Sequence, residues 1–383
     1  MRARMGLRSS SVISMAPILA GLKNDCATTL PILHHVADEM TADVRAGLAI
    51  DGGSEPKMIL SYADSLPAWV CFYALDLGGT NFRVLIVQLG GKDERVIAKE
   101  FKQVSIPQEL MFGTSEISID SGIPIKWIKG LCCLWNDVVA CVNEAMERRR
   151  LDMHVSALAN DTVGTLAGAR HWDDDVMIAA ILGTGTNACY VERVNAIAKL
   201  QGHMSTSART GAISKGLPLT KFDEEQIFEK TISRMYPGEI VRRVLYKMAE
   251  AGAWFGDSNS DKLSKPFALG EIRPNCKEDS SNVCDTIVKR GGRLAGGGIV
   301  GILQKLEEDS RGLIFGKRTV VAMDGALYEH YPQYRAYLRD AVREFIGVEK
   351  SKNLVIEHTK DGSGIGAAFL AATNSKHGHD FWA

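Results

Sequence analysis

The sequence predicts an α/β protein long enough to form two domains. Apolar strands are joined by glycine turns at two separate places, other strands run on into helices, and 383 residues with 45% hydrophobic content can bury two cores. The first hairpin pairs Cys71–Leu75 with Val84–Leu89, both β-branched and aromatic in content, through the turn Asp76-Leu77-Gly78-Gly79-Thr80-Asn81-Phe82-Arg83. This turn packs a carboxylate, a hydroxyl, a cation and two glycines together, a mixture suited to a nucleotide phosphate. Gly78 and Gly79 tolerate positive φ and leave their N–H groups open, so an oxyanion can approach the main chain. Asp76 stands where it can hold Mg²⁺ through water. No Lys-Ser/Thr follows the glycines and no helix opens there, which excludes a Walker loop and a dinucleotide fingerprint. A plain hairpin with a Gly-Gly turn is the alternative reading of this motif taken alone.

The remaining elements follow in order. Residues 1–24 form an N-terminal extension with Arg2, Arg4, Arg8 and Lys23, three consecutive serines, and no acidic residue before Asp25. That composition permits a transit peptide, with a helical N-terminus touching the domain as the alternative. Its apolar part is too short, and too broken by Pro17, for a spanning helix. A helical lead runs from Ile18 to Leu48, then a turn at Asp51–Ser54, and the first α/β domain covers 25–150. Asp137–Arg150 reads as a helix with an arginine-rich end. The second domain, 151–383, opens with a strand at Val155–Ala159 that runs into a helix at Asn160–Leu166. Asp161 then sits at a strand's carboxyl end, where open α/β sheets place their ligands; an ordinary helix cap is the plainer reading. Val176–Leu182 and Ala188–Glu192 repeat the hairpin design around Gly183-Thr184-Gly185-Thr186-Asn187.

Gln201–Lys215 and Ser258–Glu278 read as surface excursions. Ile240–Ala249 reads as a buried helix face after a break at Tyr236-Pro237-Gly238. Arg290–Ile299 carries more glycine than a stable helix favours, at about 1 kcal/mol each relative to alanine, so a loose connector is expected there. Tyr328–Gly347 reads as one helix and Asn353–His358 as a strand. The third glycine turn, Asp361–Gly366, precedes a helix at Ala367–Ala372 whose first amides can face an anion.

Formal net charge is -1, which favours neither nucleic acid nor an acidic surface as a partner. The eight cysteines contain no CxxC pair and read as reduced core residues. No cluster with metal-ligand spacing appears, so a divalent ion is expected to arrive with a nucleotide. His330 and His358 read as packed or surface imidazoles.

Five stretches together carry a resemblance: Leu75–Arg83, Asn160–Leu166, Leu182–Ala188, Val321–Gly325 and Asp361–Gly364. Their order and spacing resemble the motif set of eukaryotic hexokinases in the plant style, over most of the chain from Asp25 to Thr373. The resemblance implies the actin-like ATPase (ribonuclease H-like) fold, two α/β domains around a cleft, with ATP and Mg²⁺ as cofactors and a hexose as substrate. It implies that Asp161 is the base for the sugar 6-hydroxyl and that Lys129, Asn160, Asn187, Gln226 and Glu229 bind the sugar. It further implies nucleotide binding by Asp76, Gly78, Gly79, Thr80, Asn81, Arg83, Gly183, Thr184, Gly185, Asp324, Gly325, Gly362, Ser363 and Gly364. Such relatives occur in the cytosol, on the mitochondrial outer membrane or in plastids, and the chain is expected to act as a monomer. The long spacing from Val321 to Asp361 and the Lys126-Trp127 pair argue against a bacterial-type glucokinase.

Three departures bear on the sugar. The chain passes from Gly113 to Ile125 without the family's Phe-Ser-Phe-Pro loop, Ile128 replaces a threonine before Lys129, and Gln201–Gly211 lacks the family's glutamate segment. Two neutral hydrogen bonds at about 0.5–1.5 kcal/mol and one charged bond at about 1.5–3 kcal/mol are therefore lost, roughly 2.5–6 kcal/mol. That corresponds to a loss of about two to four orders of magnitude in hexose affinity. A relative that binds ATP or sugar without turnover, as a sensor or interaction partner, is the alternative expectation.

Overall fold

The computed structural model describes residues 16–56, 58–61, 71–77, 81–90, 94–105, 138–200, 217–219, 228–250, 263–267, 278–310, 312, 314–359 and 361–374. In chain order these form α1 (Ala16–Asp25), α2 (Leu30–Ala49), β1 (Cys71–Leu77), β2 (Asn81–Gly90), β3 (Glu94–Ser105), α3 (Val138–Arg148) and α4 (Asp161–Trp172). There follow β4 (Val176–Leu182), β5 (Thr186–Tyr190), α5 (Phe228–Ile232), α6 (Met235–Glu250), α7 (Glu278–Ser310) and β6 (Thr319–Asp324). The last elements are α8 (Ala326–His330), α9 (Pro332–Ile346), α10 (Val348–Ser351), β7 (Leu354–His358) and α11 (Gly362–Asn374). They gather into two compact units: 1–58, 193–316 and 326–352 in one, and 59–192, 317–325 and 353–383 in the other.

The first unit is helical in its described residues and packs α2 and α9 against the long α7. The expected loose connector is instead the middle of this 33-residue helix. A Cβ added at Gly291, Gly292, Gly296 or Gly301 would stand 2.7–2.9 Å from the carbonyl oxygens of Thr231, Tyr334, Leu338 and Ala37. The glycines let neighbouring backbones close in, and that packing outweighs their poor helix propensity.

Three helix boundaries also differ from expectation. The N-terminal lead is two helices, because Thr28 leaves the helix and its carbonyl and hydroxyl oxygens each accept Arg293 Nε–H at 3.0 Å. Pro237 lies inside α6, in the first turn, where a missing N–H costs no helical bond; the break falls at Ser233–Arg234. The helix read across Tyr328–Gly347 is split at Tyr331, since Pro332 opens α9 and holds the residue before it out of the helical region. Within α6, Glu239 is buried and accepts from Arg242 at 2.6 and 2.7 Å, from Arg243 at 3.0 Å and from the Phe267 N–H at 2.7 Å. Burial pushes its pKa up, but these donors outweigh it and bring the carboxyl down to about 2.

The second unit holds two sheets, β1-β2-β3 and β5-β4-β6-β7. The first is an antiparallel meander with Asp76 opposite Arg83 at its end. In the second, β4 pairs antiparallel with β5 and parallel with β6, which is parallel to β7. Two helices lie between the sheets. Ile365, Ala368, Phe369 and Ala372 of α11 cover Ala74, Leu85 and Val87, while Ala169 of α4 joins Val176, Ala179, Val320 and Ala322. The helices cross through glycine: an added Cβ at Gly164 would meet the Ser363 carbonyl at 2.6 Å, one at Gly168 the Gly362 carbonyl at 2.8 Å, and one at Gly366 the Gly164 carbonyl.

Val155–Ala159, expected as a strand, joins neither sheet; the Val155 N–H is taken at 2.7 Å by the Asn143 side chain. Strand β3 was not foreseen, because its Lys and Glu content hides the alternation. The last helix begins at Gly362 rather than Ala367, so the third glycine turn is its first turn. Cys26 and Cys284 are core residues as expected, whereas Cys71 is exposed, since β1 alternates and shares that face with Tyr73 and Leu75.

Candidate active site

Asn160 and Asp161 stand where α4 begins. Asn160 is the N-cap: its Oδ1 accepts from the Thr162 N–H at 3.0 Å, from the Thr162 hydroxyl at 2.5 Å and from Asn187 Nδ2 at 2.8 Å. The plainer reading of Asp161 as the cap therefore passes to its neighbour, and Asp161 occupies the first helical position. Asn187 lies on β5 opposite Ile181 of β4, so its bond to Asn160 ties the start of α4 to the hairpin. Asp161 is open to solvent, yet enough protein crowds it that desolvation raises its pKa. The Asp76 charge raises it further, while the Thr162 N–H and the Asn187 side chain pull it down.

Asp76, on β1, is held by its cross-strand partner. Arg83 Nε donates to Asp76 Oδ2 at 3.0 Å and Nη2 makes a second, shorter contact with the same oxygen. Ser363 in the first turn of α11 donates its hydroxyl to Asp76 Oδ2 at 3.2 Å. Arg83 Nη1 reaches Asp361 Oδ1 at 3.1 Å, and Lys99 Nζ pairs with Asp361 Oδ2. One network thus ties the first hairpin to the start of α11.

Asp324 ends β6. Its Oδ1 accepts the Gly325 N–H at 2.6 Å. Burial raises its pKa, Asp361 adds to this, and Gly325, His358 and Arg83 oppose it. His358, at the end of β7, thus lies near the Asp324 carboxylate. Gly325 has φ +96° and lies against the Leu182 backbone, where a Cβ would stand 2.5 Å from the carbonyl carbon, so only glycine lets β6 end beside the β4 turn. In that turn the Gly183 N–H donates to the Gly185 carbonyl at 2.9 Å.

The second unit contains Asp76, Arg83, Asn160, Asp161, Gly183, Thr184, Gly185, Asn187, Asp324, Gly325, Gly362, Ser363 and Gly364; bonds link Asp76 with Arg83 and Ser363, and Asn160 with Asn187. Asn81 begins β2 in the same unit, and Glu229 lies on α5 in the other unit. Lys129, Gln226, Gly78, Gly79 and Thr80 lie outside the described residues, as do the segments 113–125, 126–130 and 201–211. Asp76 and Asp361 pair with the two cations Arg83 and Lys99, while Asp161 lies within electrostatic reach of Asp76, and Asp324 of Arg83 and Asp361, so four carboxylates stand against two cations. That excess of negative charge suits a divalent ion accompanying a polyphosphate. Among the described residues no group of three or more His, Cys, Asp or Glu side chains is placed to hold a metal by itself. Mg²⁺ fits this donor set, since it keeps several waters and takes only one or two carboxylates beside its phosphates.

Two solved structures share the architecture. A hexokinase from Schistosoma mansoni complexed with glucose matches with TM-score 0.67 and 21% identity over 94% of this chain and 99% of that one. A second hexokinase matches with TM-score 0.62 and 20% identity over the same shares. Two sheets with crossed helices between them, in an architecture shared with these two structures, therefore define a protein of the actin-like ATPase fold, as the sequence predicted. Two family models described as Hexokinase match residues 18–117 with 112–171, and 177–282 with 278–373. The chain is 56% identical to the chloroplastic hexokinase-2 of Nicotiana tabacum over 98% of this chain and 94% of that protein. It is 52% identical to the chloroplastic hexokinase-4 of Oryza sativa (95% and 90%) and 47% identical to the hexokinase-like 1 protein of Arabidopsis thaliana (96% and 93%). The chain belongs to the hexokinase family, and is a sugar phosphotransferase of the hexokinase type. The tobacco alignment runs over 467 residues although this chain has 383, so the relative carries internal segments that this chain lacks. Each family model matches in two pieces, and one break, at 112–117, falls where the sugar loop is missing.

Proposed function

We propose that the chain transfers the γ-phosphoryl group of ATP to the 6-hydroxyl of glucose, and of fructose or mannose, with weakened hold on the sugar. The observation that carries this reading is Asp161: a carboxylate with a raised pKa, at a helix start, beside two asparagine side chains and within electrostatic reach of Asp76. A base for an alcohol needs a pKa lifted toward neutrality together with access to the hydroxyl. Mg²⁺ bound with the nucleotide supplies charge neutralisation across the phosphate oxygens. Asp161 takes the hydroxyl proton, while Asn160 and Asn187 orient the sugar, joined by Lys129, Gln226 and Glu229. The backbone at Gly78–Asn81, Gly183–Gly185 and Gly362–Gly364, with the Thr184 and Ser363 hydroxyls, receives the phosphates and Asp76 the hydrated ion. Asp324, Gly325 and Arg83 complete the nucleotide side.

The plastid is the favoured compartment, because the tobacco and rice relatives are named chloroplastic and the N-terminus is basic and serine-rich. Association with the mitochondrial outer membrane would have to proceed without a helix of the described residues, none of which is long and apolar enough to cross a membrane.

A coupled assay against graded glucose tests the reading. Saturation should require about 10²- to 10⁴-fold more glucose than a relative retaining the Phe-Ser-Phe-Pro loop, measured in parallel. No turnover at the highest glucose, with nucleotide binding intact, would replace catalysis by the second reading: a sugar-sensing or regulatory relative. Two observations favour that reading, the internal gaps of the alignment and a 47% identical relative named hexokinase-like.

A further inference from the structure

We infer that Lys99 is a positioning residue for the nucleotide, acting through Asp361; this rests on the phosphotransferase reading above. Lys99 lies on β3 in register with Val87 and Phe72, on the face of the sheet that α11 covers. Its ammonium pairs with Asp361 Oδ2 while Arg83 Nη1 holds Oδ1 at 3.1 Å. Asp361 is no ordinary surface carboxylate. Its φ is +54°, in the left-handed region that Asp enters more readily than most non-glycine residues, and its carbonyl accepts the Ile365 N–H at 3.1 Å as α11 begins. Two cations from two strands therefore set the residue that aims the Gly362–Gly364 amides.

The division of labour follows from charge. Arg83 already serves Asp76 through Nε and Nη2, and a polyphosphate arriving at the hairpin tip competes for the same guanidinium. If Arg83 were the sole cation on Asp361, its turn toward phosphate would leave a half-buried carboxylate unpaired beside the incoming negative charge. Lys99 keeps Asp361 neutralised, so Arg83 is released without that repulsion. The loop stays aimed through the exchange.

The test compares wild type, Lys99→Met, Lys99→Arg, Asp361→Asn and the double variant Lys99→Met/Asp361→Asn. Mg-ATP affinity is read by calorimetry, steady-state constants by the coupled assay, and amide hydrogen exchange in the nucleotide-free protein. Lys99→Met should weaken Mg-ATP binding about tenfold, which corresponds to about 1.4 kcal/mol, and raise KM for ATP alike while kcat stays within about twofold. Exchange should quicken at Ile365, whose N–H donates to the Asp361 carbonyl, and be unchanged in α7, and Lys99→Arg should restore both. In the Asp361→Asn background the Lys99→Met effect should vanish. Unaltered affinity in Lys99→Met, or an equal loss whether or not Asp361 is present, overturns the inference. Failure of the wild type itself to bind Mg-ATP overturns the phosphotransferase reading instead.

Discussion

Asp161→Ala is expected to lower kcat by about 10³-fold, the contribution of a positioned general base, while Mg-ATP affinity changes little. The same carboxylate predicts a pH profile. Desolvation and the Asp76 charge lift its pKa above the ordinary aspartate value, so activity, which needs the ionised form, falls with decreasing pH through that raised value. Stability runs the other way. A carboxyl whose folded pKa exceeds its unfolded one favours the fold while protonated, a contribution present below the unfolded pKa and lost as pH rises through the folded one. Asp161→Asn, uncharged at every pH, should therefore unfold at higher temperature than wild type near neutral pH and still be inactive. Retained turnover in either variant would remove Asp161 from the chemistry.

Gly366→Val should be the most damaging small change for folding. Its Cβ would fall on the Gly164 carbonyl, where α11 and α4 cross, and neither helix can retreat without dragging the sheet it covers. Overpacking costs about 1–3 kcal/mol where side chains can give, and more where backbone meets backbone. A loss of about 3 kcal/mol or more lowers Tm by roughly 6–12 °C at about 2–4 °C per kcal/mol. Because Asp161 and Ser363 stand at the starts of these two helices, nucleotide affinity should fall as well. Gly21→Ala is the control: nothing lies within 4 Å of the added Cβ, so Tm should hold or rise slightly. Equal Tm in both variants would mean the helices do not meet as described.

The hairpins were legible in the sequence because strand alternation and glycine turns are local signals, and β1, β2, β4 and β5 need only those. Asp161 and Asn187 were legible as motif residues, but the bond that links the Asn160 cap to Asn187 spans two elements and has no sequence signature. The glycine-rich α7 was misread for a related reason. Propensity counts a glycine's intrinsic cost, while the compensating approach of α2 and α9 lies far off in the chain. Strand β3 escaped because Lys99, Glu100 and Lys102 interrupt its apolar alternation, yet Lys99 proves to be a partner of Asp361 some 262 positions away.

The central claim is that glycine-turn amides and the Asp76–Arg83–Ser363 network receive a magnesium-bound triphosphate. Titration calorimetry of ATP into folded protein, with and without Mg²⁺, tests it most directly. The account predicts saturable one-site binding in the presence of Mg²⁺ that weakens sharply when the ion is chelated. Heats indistinguishable from dilution under both conditions, from protein whose melting is cooperative, would contradict it.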